Sequence, residues 1–275
     1  MVLAALPAAL FAQWPDYPMP GVPRTADGKP NLEGPVPKAA DGHPDLTGLW
    51  EYYRDRTGRG GAPPSAPPPD PGASLGLSVV APGSNPFFNI GFGMKDGLPY
   101  QPWALALRKS RMADNNKDNP DAHCLPIGLM QLHQHPQPRK IIQTPAVTVI
   151  LYEAQGGVRQ IFTDGRPLPK DPQPWWYGYS VGKWDGDTLV VETTGFRDDV
   201  WLDVEGSPLT SAGKMTERFR RVDYGHLEIE ITVDDPKAYT RPWTVSVKQK
   251  IMLDQDLIEF ICDENEKDAP HLTSK

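Results

Sequence analysis

Glu217 and Arg221 are the charged residues whose spacing most suggests chemistry, because strand alternation turns both toward an otherwise apolar face. In the same run Met215 and Phe219 share that face, and the following run sets Leu227, Ile229, Ile231 and Val233 against Glu228 and Glu230. A two-residue turn at Tyr224-Gly225 would press Arg218 and Arg220 against Ile231 and Ile229, at a heavy desolvation cost. A three-residue turn, Asp223-Tyr224-Gly225 with Gly225 left-handed, instead pairs Arg220 with Glu228, Arg218 with Glu230, Phe219 with Ile229 and Met215 with Val233. It also carries Glu217 and Arg221 inward. A carboxylate on a dry face tends to a raised pKa suited to acid-base work. The alternative is a buried Glu217–Arg221 ion pair, or a strand end where both reach water. On the catalytic reading, Glu217→Gln leaves folding nearly intact and abolishes ligand binding or turnover.

Trp175, Trp176 and Tyr177, with Tyr179 just beyond, form an aromatic cluster beside Asp171. At a barrel mouth it could stack a sugar, phenolic or terpenoid ligand, with Asp164 and Arg166 of the preceding TDGR loop adding polar contacts. Asp164 joins Glu217 and Arg221 as a candidate catalytic group. Packing alone also places aromatics at barrel ends, and both readings stand.

His133 and His135 in LHQHPQP would point to one side of an extended backbone, as a metal site on a strand requires. No third ligand stands nearby, so loop histidines satisfied by backbone and water are the reading favoured over a metal. Cys124 and Cys262, the only cysteines, suit a disulfide in an oxidising compartment, with two buried free thiols as the alternative. There is no G-x-S-x-G, no G-x-G-x-x-G after a strand and no P-loop, so a serine hydrolase and a nucleotide site are set aside, and no motif asks for a cofactor.

These residues need elements to hold them, and the composition points to strands. In 275 residues there are 32 Pro and 25 Gly, which favours turns over long helices. The net charge of −7 argues against nucleic acid or an anionic membrane as partner. Residues 1–12, MVLAALPAALFA, read as the remnant of a secretory signal, or as a buried N-terminal segment, since no Lys or Arg precedes them; they are too short to span a bilayer. Residues 13–43 read as an extended leader and 44–275 as one β-domain, interrupted by a flexible insertion over 57–100 whose TGRGGAPPSAPPPDPG stretch can form neither ladder nor helix. One short helix is expected over 102–112.

The hairpins repeat one design. GYSVGKWDGDTLVVETTGF turns at Asp185-Gly186; Lys140 to Ala154 turns at Gly156-Gly157 into Val158 to Thr163; Trp243 to Leu253 turns into Leu257 to Cys262. With PDLTGLWEYY this makes roughly nine strands, an all-β, antiparallel up-and-down barrel that can hold one small ligand, with a sandwich as the alternative.

Gly48-Leu49-Trp50 resembles the G-x-W of the opening strand in lipocalin-like barrels. More extensively, YSVGKWDGDTLVVETTGF, WLDVEGSPLTSAGKMTERFRR, DDPKAYTRPWT and the leader DGHPDLTGLW resemble a large group of secreted bacterial proteins of uncharacterised function. That group carries a His-Pro soon after DGR and a Pro-His-Ser after WLD; here the positions read Leu168-Pro169 and Pro208-Leu209-Thr210. If those histidines serve chemistry in the group, this chain has lost or altered it. The expectation is a secreted or periplasmic barrel binding a small apolar or aromatic molecule. The alternative is an enzyme that uses the same cavity for hydrolysis, isomerisation or dehydration of a small hydrophobic substrate.

Overall fold

A computed structural model describes residues 18–53, 86–262 and 264. The expected signal segment, the start of the leader and residues 57–85 of the expected insertion lie outside the described residues.

In chain order the strands are β1 (Gly48–Tyr53), β2 (Arg139–Gln143), β3 (Val147–Tyr152), β4 (Val158–Phe162), β5 (Tyr179–Asp185), β6 (Thr188–Thr194), β7 (Val200–Trp201), β8 (Pro208–Leu209), β9 (Lys214–Arg221), β10 (His226–Asp234) and β11 (Trp243–Met252). Nine of them close a barrel in the order β1-β11-β10-β9-β6-β5-β4-β3-β2, and β7 pairs with β8 apart from it. The all-β barrel of nine strands is therefore as expected. A closed ring of nine cannot alternate direction throughout. Here the single parallel seam lies between β4 and β5, where only Ile161↔Ser180 and Phe162↔Val181 are in register, and the other seams are antiparallel. The Pro-rich connection 163–178 brings the chain back to the end it left, which makes the parallel pairing possible.

The β9–β10 register is the one derived from the charges: Arg220 faces Glu228, Arg218 faces Glu230, and Phe219 faces Ile229. The turn does span Asp223 to Gly225, but Gly225 does not take the left-handed conformation. Glycine is needed there for close approach instead. The leader docks on this turn through Gly225 N–H to the Leu32 carbonyl (2.7 Å), and a Cβ on Gly225 would stand 2.6 Å from the Leu32 Cβ. In the β5–β6 hairpin Asp185 pairs with Thr188, so the loop residues are Gly186 and Asp187, one place later than expected. Gly186, at φ +59°, supplies the positive φ a type II′ turn needs first.

Two expected strands are corrected. The run Lys140 to Ala154 is two strands, because Thr144-Pro145-Ala146 makes a tight turn closed by Thr144 N–H to the Val147 carbonyl (3.0 Å). Residues 257–262 form no strand: β1 occupies the β11 edge through pairs such as Trp50↔Ile251, and Ile258, Phe260 and Ile261 are exposed. That segment is tied down instead by the Cys124–Cys262 disulfide, with Cα atoms 5.6 Å apart, and by Ile258 N–H to Glu153 Oε2 (3.2 Å).

Trp50, Ile150, Ile161, Val191, Phe219 and Ile231 fill the barrel, each buried aliphatic side chain contributing about 1.5–3 kcal/mol. The expected helix is α1 (Pro102–Ala113), started by Pro at its first position. A second, α2 (Leu129–Gln134), replaces the extended backbone expected around His133 and His135, and all six of its residues are buried. It ends because His135, preceding Pro136, is driven to extended geometry (φ −63°, ψ 140°).

Candidate functional site

Along β4, Arg159 and Ile161 turn inward and are buried, while Val158 and Gln160 face out; along β5, Ser180 turns inward between outward Tyr179 and Val181. A cavity of about 460 Å³ touches both sets: Val158, Gln160, Phe162 and Tyr179 from outside, Arg159 and Ser180 from inside. The parallel pairing is confined to Ile161 and Phe162, so β4 and β5 part on the side of Val158 and Tyr177, and the cavity occupies the parting.

The connection before β5 builds its walls. Trp175 N–H donates to the Gly195 carbonyl (2.9 Å) and Arg197 N–H to the Trp175 carbonyl (3.2 Å), pinning the aromatic run beside Phe196. Gly178, at φ +61°, lets the chain pass against Thr194, whose carbonyl oxygen would lie 2.7 Å from a Cβ there. Trp175, Trp176, Tyr177 and Tyr179 all line the cavity, with Pro126 and Pro174. Trp175 is 49 % exposed. Arg197 lies over the Trp176 ring at 4.6 Å. The Tyr177 hydroxyl packs where a Cβ on Gly157 would be, 2.7 Å away, and has no hydrogen-bond partner among the described residues. Burial keeps it protonated, pushing its pKa well above the usual tyrosine value.

Behind the cavity floor lies a polar cluster. Arg159 grips Glu217 with two nitrogens, Nη1 to Oε1 at 3.0 Å and Nη2 to Oε2. Its Nε and Nη2 reach Ser180 Oγ (3.2 and 3.1 Å), and Nη2 reaches Thr193 Oγ1 (3.0 Å). From α2, His133 Nε2 lies 2.7 Å from Glu217 Oε1. Burial alone would raise the Glu217 pKa, but the Arg159 charge and the bonds from His133 and Arg159 outweigh it and hold the carboxyl at about 2. The expectation of a raised pKa is thereby overturned: Glu217 is a paired carboxylate. Burial lowers the pKa of His133 despite Glu217, and Arg159 and Arg139 push the same way, so the ring is neutral and donates through Nε2. Its Nδ1 is then an acceptor without a partner among the described residues. Glu217 and His133 are 0 % and 1 % exposed, and neither lines the cavity.

The remaining candidates lie apart. Arg221 is buried but does not meet Glu217; it caps its turn by donating to the Tyr224 and Asp45 carbonyls and lies over the Trp50 ring at 5.0 Å. Asp164 and Arg166 pair with each other, Arg166 lying over Phe162 at 3.9 Å and reaching the Tyr179 hydroxyl at 3.3 Å. They stand next to the cavity but do not line it. His135 packs edge-on against Phe87, and burial lowers its pKa to about 4. His133 and His135 therefore face different partners, and the described residues gather no group of three His, Cys, Asp or Glu that could hold a metal.

Sequence reasoning missed Arg159, the residue that joins cavity to cluster. The alternation Val158, Arg159, Gln160, Ile161 places it on the same face as Ile161, which is the signal that marked Glu217. Arg197 was missed because its site is set by the return of the chain beside Trp175, which no periodicity encodes. In comparisons with known proteins, no family model matches the sequence, and no curated protein and no solved structure matches it.

Proposed function

We propose that this protein binds a small apolar or aromatic molecule in the cleft where β4 and β5 part. The observation that carries the reading is the cleft itself: a cavity of about 460 Å³ walled by Trp175, Trp176, Tyr177, Tyr179 and Phe162, with few polar groups. That size and lining are those of a small-molecule site. The barrel lumen is packed with Trp50, Phe219 and other buried side chains, which favours the wall over the lumen as the place of binding. A periplasmic or secreted location is part of the proposal, supported by the Cys124–Cys262 bond. No helix among the described residues is long and apolar enough to cross a membrane.

An enzyme acting in the same cavity would need a group there that exchanges protons near neutral pH. Tyr177, Tyr179, Arg159 and Arg197 are the titratable groups on the lining, and Glu217 is sealed behind them, so binding is the reading adopted. The test is titration with neutral two-ring aromatics, 2-naphthamide first, followed by calorimetry. Saturable one-to-one heat that is lost in Trp175→Ala supports the proposal. Heat unchanged by that substitution, or no heat from any member of the series, refutes it.

A further inference from the structure

The ring of strands is weakest where the cleft opens. The β4–β5 ladder runs only from Ile161↔Ser180 to Phe162↔Val181, the shortest in the barrel. Were it to continue past Ile161, Arg159 would face Gly178. Gly178 is instead drawn toward β6, where a Cβ on it would stand 2.8 Å from Thr193 Cγ2. Backbone pairing holds each strand on its far edge, through Ile150↔Arg159 and Ser180↔Thr193, and the Phe162 and Tyr179 rings stack at 5.3 Å on the outer face. The ladder between β4 and β5 does not reach residues 158–160.

From within the barrel, the Arg159 side chain crosses the parting. Its Nε and Nη2 donate to Ser180 Oγ on β5 (3.2 and 3.1 Å), Nη2 to Thr193 Oγ1 on β6 (3.0 Å) and Nη1 to Glu217 Oε1 on β9 (3.0 Å). The two hydroxyls are themselves 2.9 Å apart. All four residues are buried, so water does not compete for these bonds. Neutralising Glu217 needs only the two Nη atoms of Arg159. The bonds to Ser180 and Thr193 are additional, and they are the ones that span the seam. A guanidinium holds its donors in a rigid planar fork, so it fixes the spacing of the strands it joins.

Resting on the binding reading, we infer that Arg159 is a side-chain staple that stands in for the missing ladder and sets the width of the cleft, with Ser180 and Thr193 as positioning residues for the ligand. The walls of the cleft belong to both sides of the seam: Val158 and Phe162 to β4, Trp175 and Tyr177 to the chain that leads into β5. A ligand held between them loses contact when the seam parts. By linkage, a ligand that favours the closed seam also slows its opening.

Hydrogen–deuterium exchange compares the wild type with the variant Ser180→Ala, Thr193→Val, which removes both hydroxyls and leaves Arg159 on Glu217. Residues 158–162 and 178–182 should exchange about tenfold faster or more, the equivalent of at least one lost hydrogen bond to a charged group. β10 and β11 should exchange as before, and 2-naphthamide should bind about tenfold more weakly. Thr193→Ser, which keeps a hydroxyl, should match the wild type on both measurements. Saturating 2-naphthamide should slow exchange of the same two segments in the wild type. Unchanged exchange at the seam, or exchange raised equally in β10 and β11, overturns the inference, and so does a faster seam with unchanged affinity. If the double variant does not fold, Ser180→Ala alone, which removes the acceptor shared by Nε and Nη2, carries the same test with the same outcomes. If 2-naphthamide does not bind the wild type, the binding reading and the positioning role fall together, whereas unchanged exchange in the variant overturns the staple and leaves the binding site in place.

Discussion

Replacing Glu217 by Gln tests what the buried cluster is for. Gln keeps the shape but removes the charge that neutralises Arg159, and its amide nitrogen faces donors on Arg159 or His133. Breaking a buried pair by removing one partner costs about 3–5 kcal/mol. The pKa gives a second route to the magnitude: lowering the carboxyl from an ordinary 4.5 to about 2 corresponds to on the order of 3 kcal/mol. Because the folded pKa is depressed, this stabilisation is present in full above pH 4.5 and is lost as the pH falls from there toward 2. With a urea slope of about 3 kcal/mol per molar, the midpoint at pH 7 should fall by roughly 1–1.7 M, read by tryptophan fluorescence with the disulfide intact. The gap between wild type and variant should narrow below pH 4.5. The paired change Arg159→Met with Glu217→Leu should recover much of the loss, since neither charge is then stranded. A Glu217→Gln protein that unfolds at the wild-type urea concentration would refute this account and return Glu217 to the catalytic reading.

Glu228→Gln, at an exposed pair with Arg220, should change stability by less than about 1 kcal/mol in the same urea titration. Gly225→Val should push Leu32 off the β9–β10 turn, costing about 1–3 kcal/mol, and expose the leader near Lys29 to trypsin much faster than in the wild type. Cys124→Ser with Cys262→Ser, which opens a loop spanning 138 residues, should lower stability by on the order of 4 kcal/mol, while the unreduced wild type should show no free thiol when denatured. Trp175→Ala should leave the melting temperature nearly unchanged, because half of that side chain is already in water, and remove the saturable binding heat of 2-naphthamide.

The parts of the fold that were legible in the sequence are those a strict period or a strong desolvation cost imposes. Arg218 and Arg220 could not face Ile231 and Ile229, so the β9–β10 register followed from charge alone. The two cysteines left one pairing available. The register of other elements depended on who takes an edge: Leu257 to Cys262 alternate too weakly to compete for β11 against β1, whose Trp50 is wholly buried. The short helix α2 hid in LMQLHQ because six buried residues show no amphipathic period.

The site was half legible for the same reason. The sequence singled out Trp175, Trp176, Tyr177 and Tyr179, and they share a cavity. It could not show that β4 and β5 run parallel and part, since an odd strand count becomes a parallel seam only once the barrel closes. Nor could it match Glu217 to Arg159 rather than Arg221. That choice depends on which inward residues of β4 and β9 reach each other across the barrel, a distance no local pattern contains.

The most direct test of the central claim is where a ligand lands. In protein labelled with 5-fluorotryptophan, each of the 8 tryptophans gives its own fluorine resonance, assigned by single substitution. Adding 2-naphthamide should shift the resonances of Trp175 and Trp176 and leave Trp50 and Trp243 in the barrel interior unmoved. Shifts at Trp50 or Trp243 with Trp175 and Trp176 unaffected would place the ligand in the lumen and contradict the site at the β4–β5 cleft.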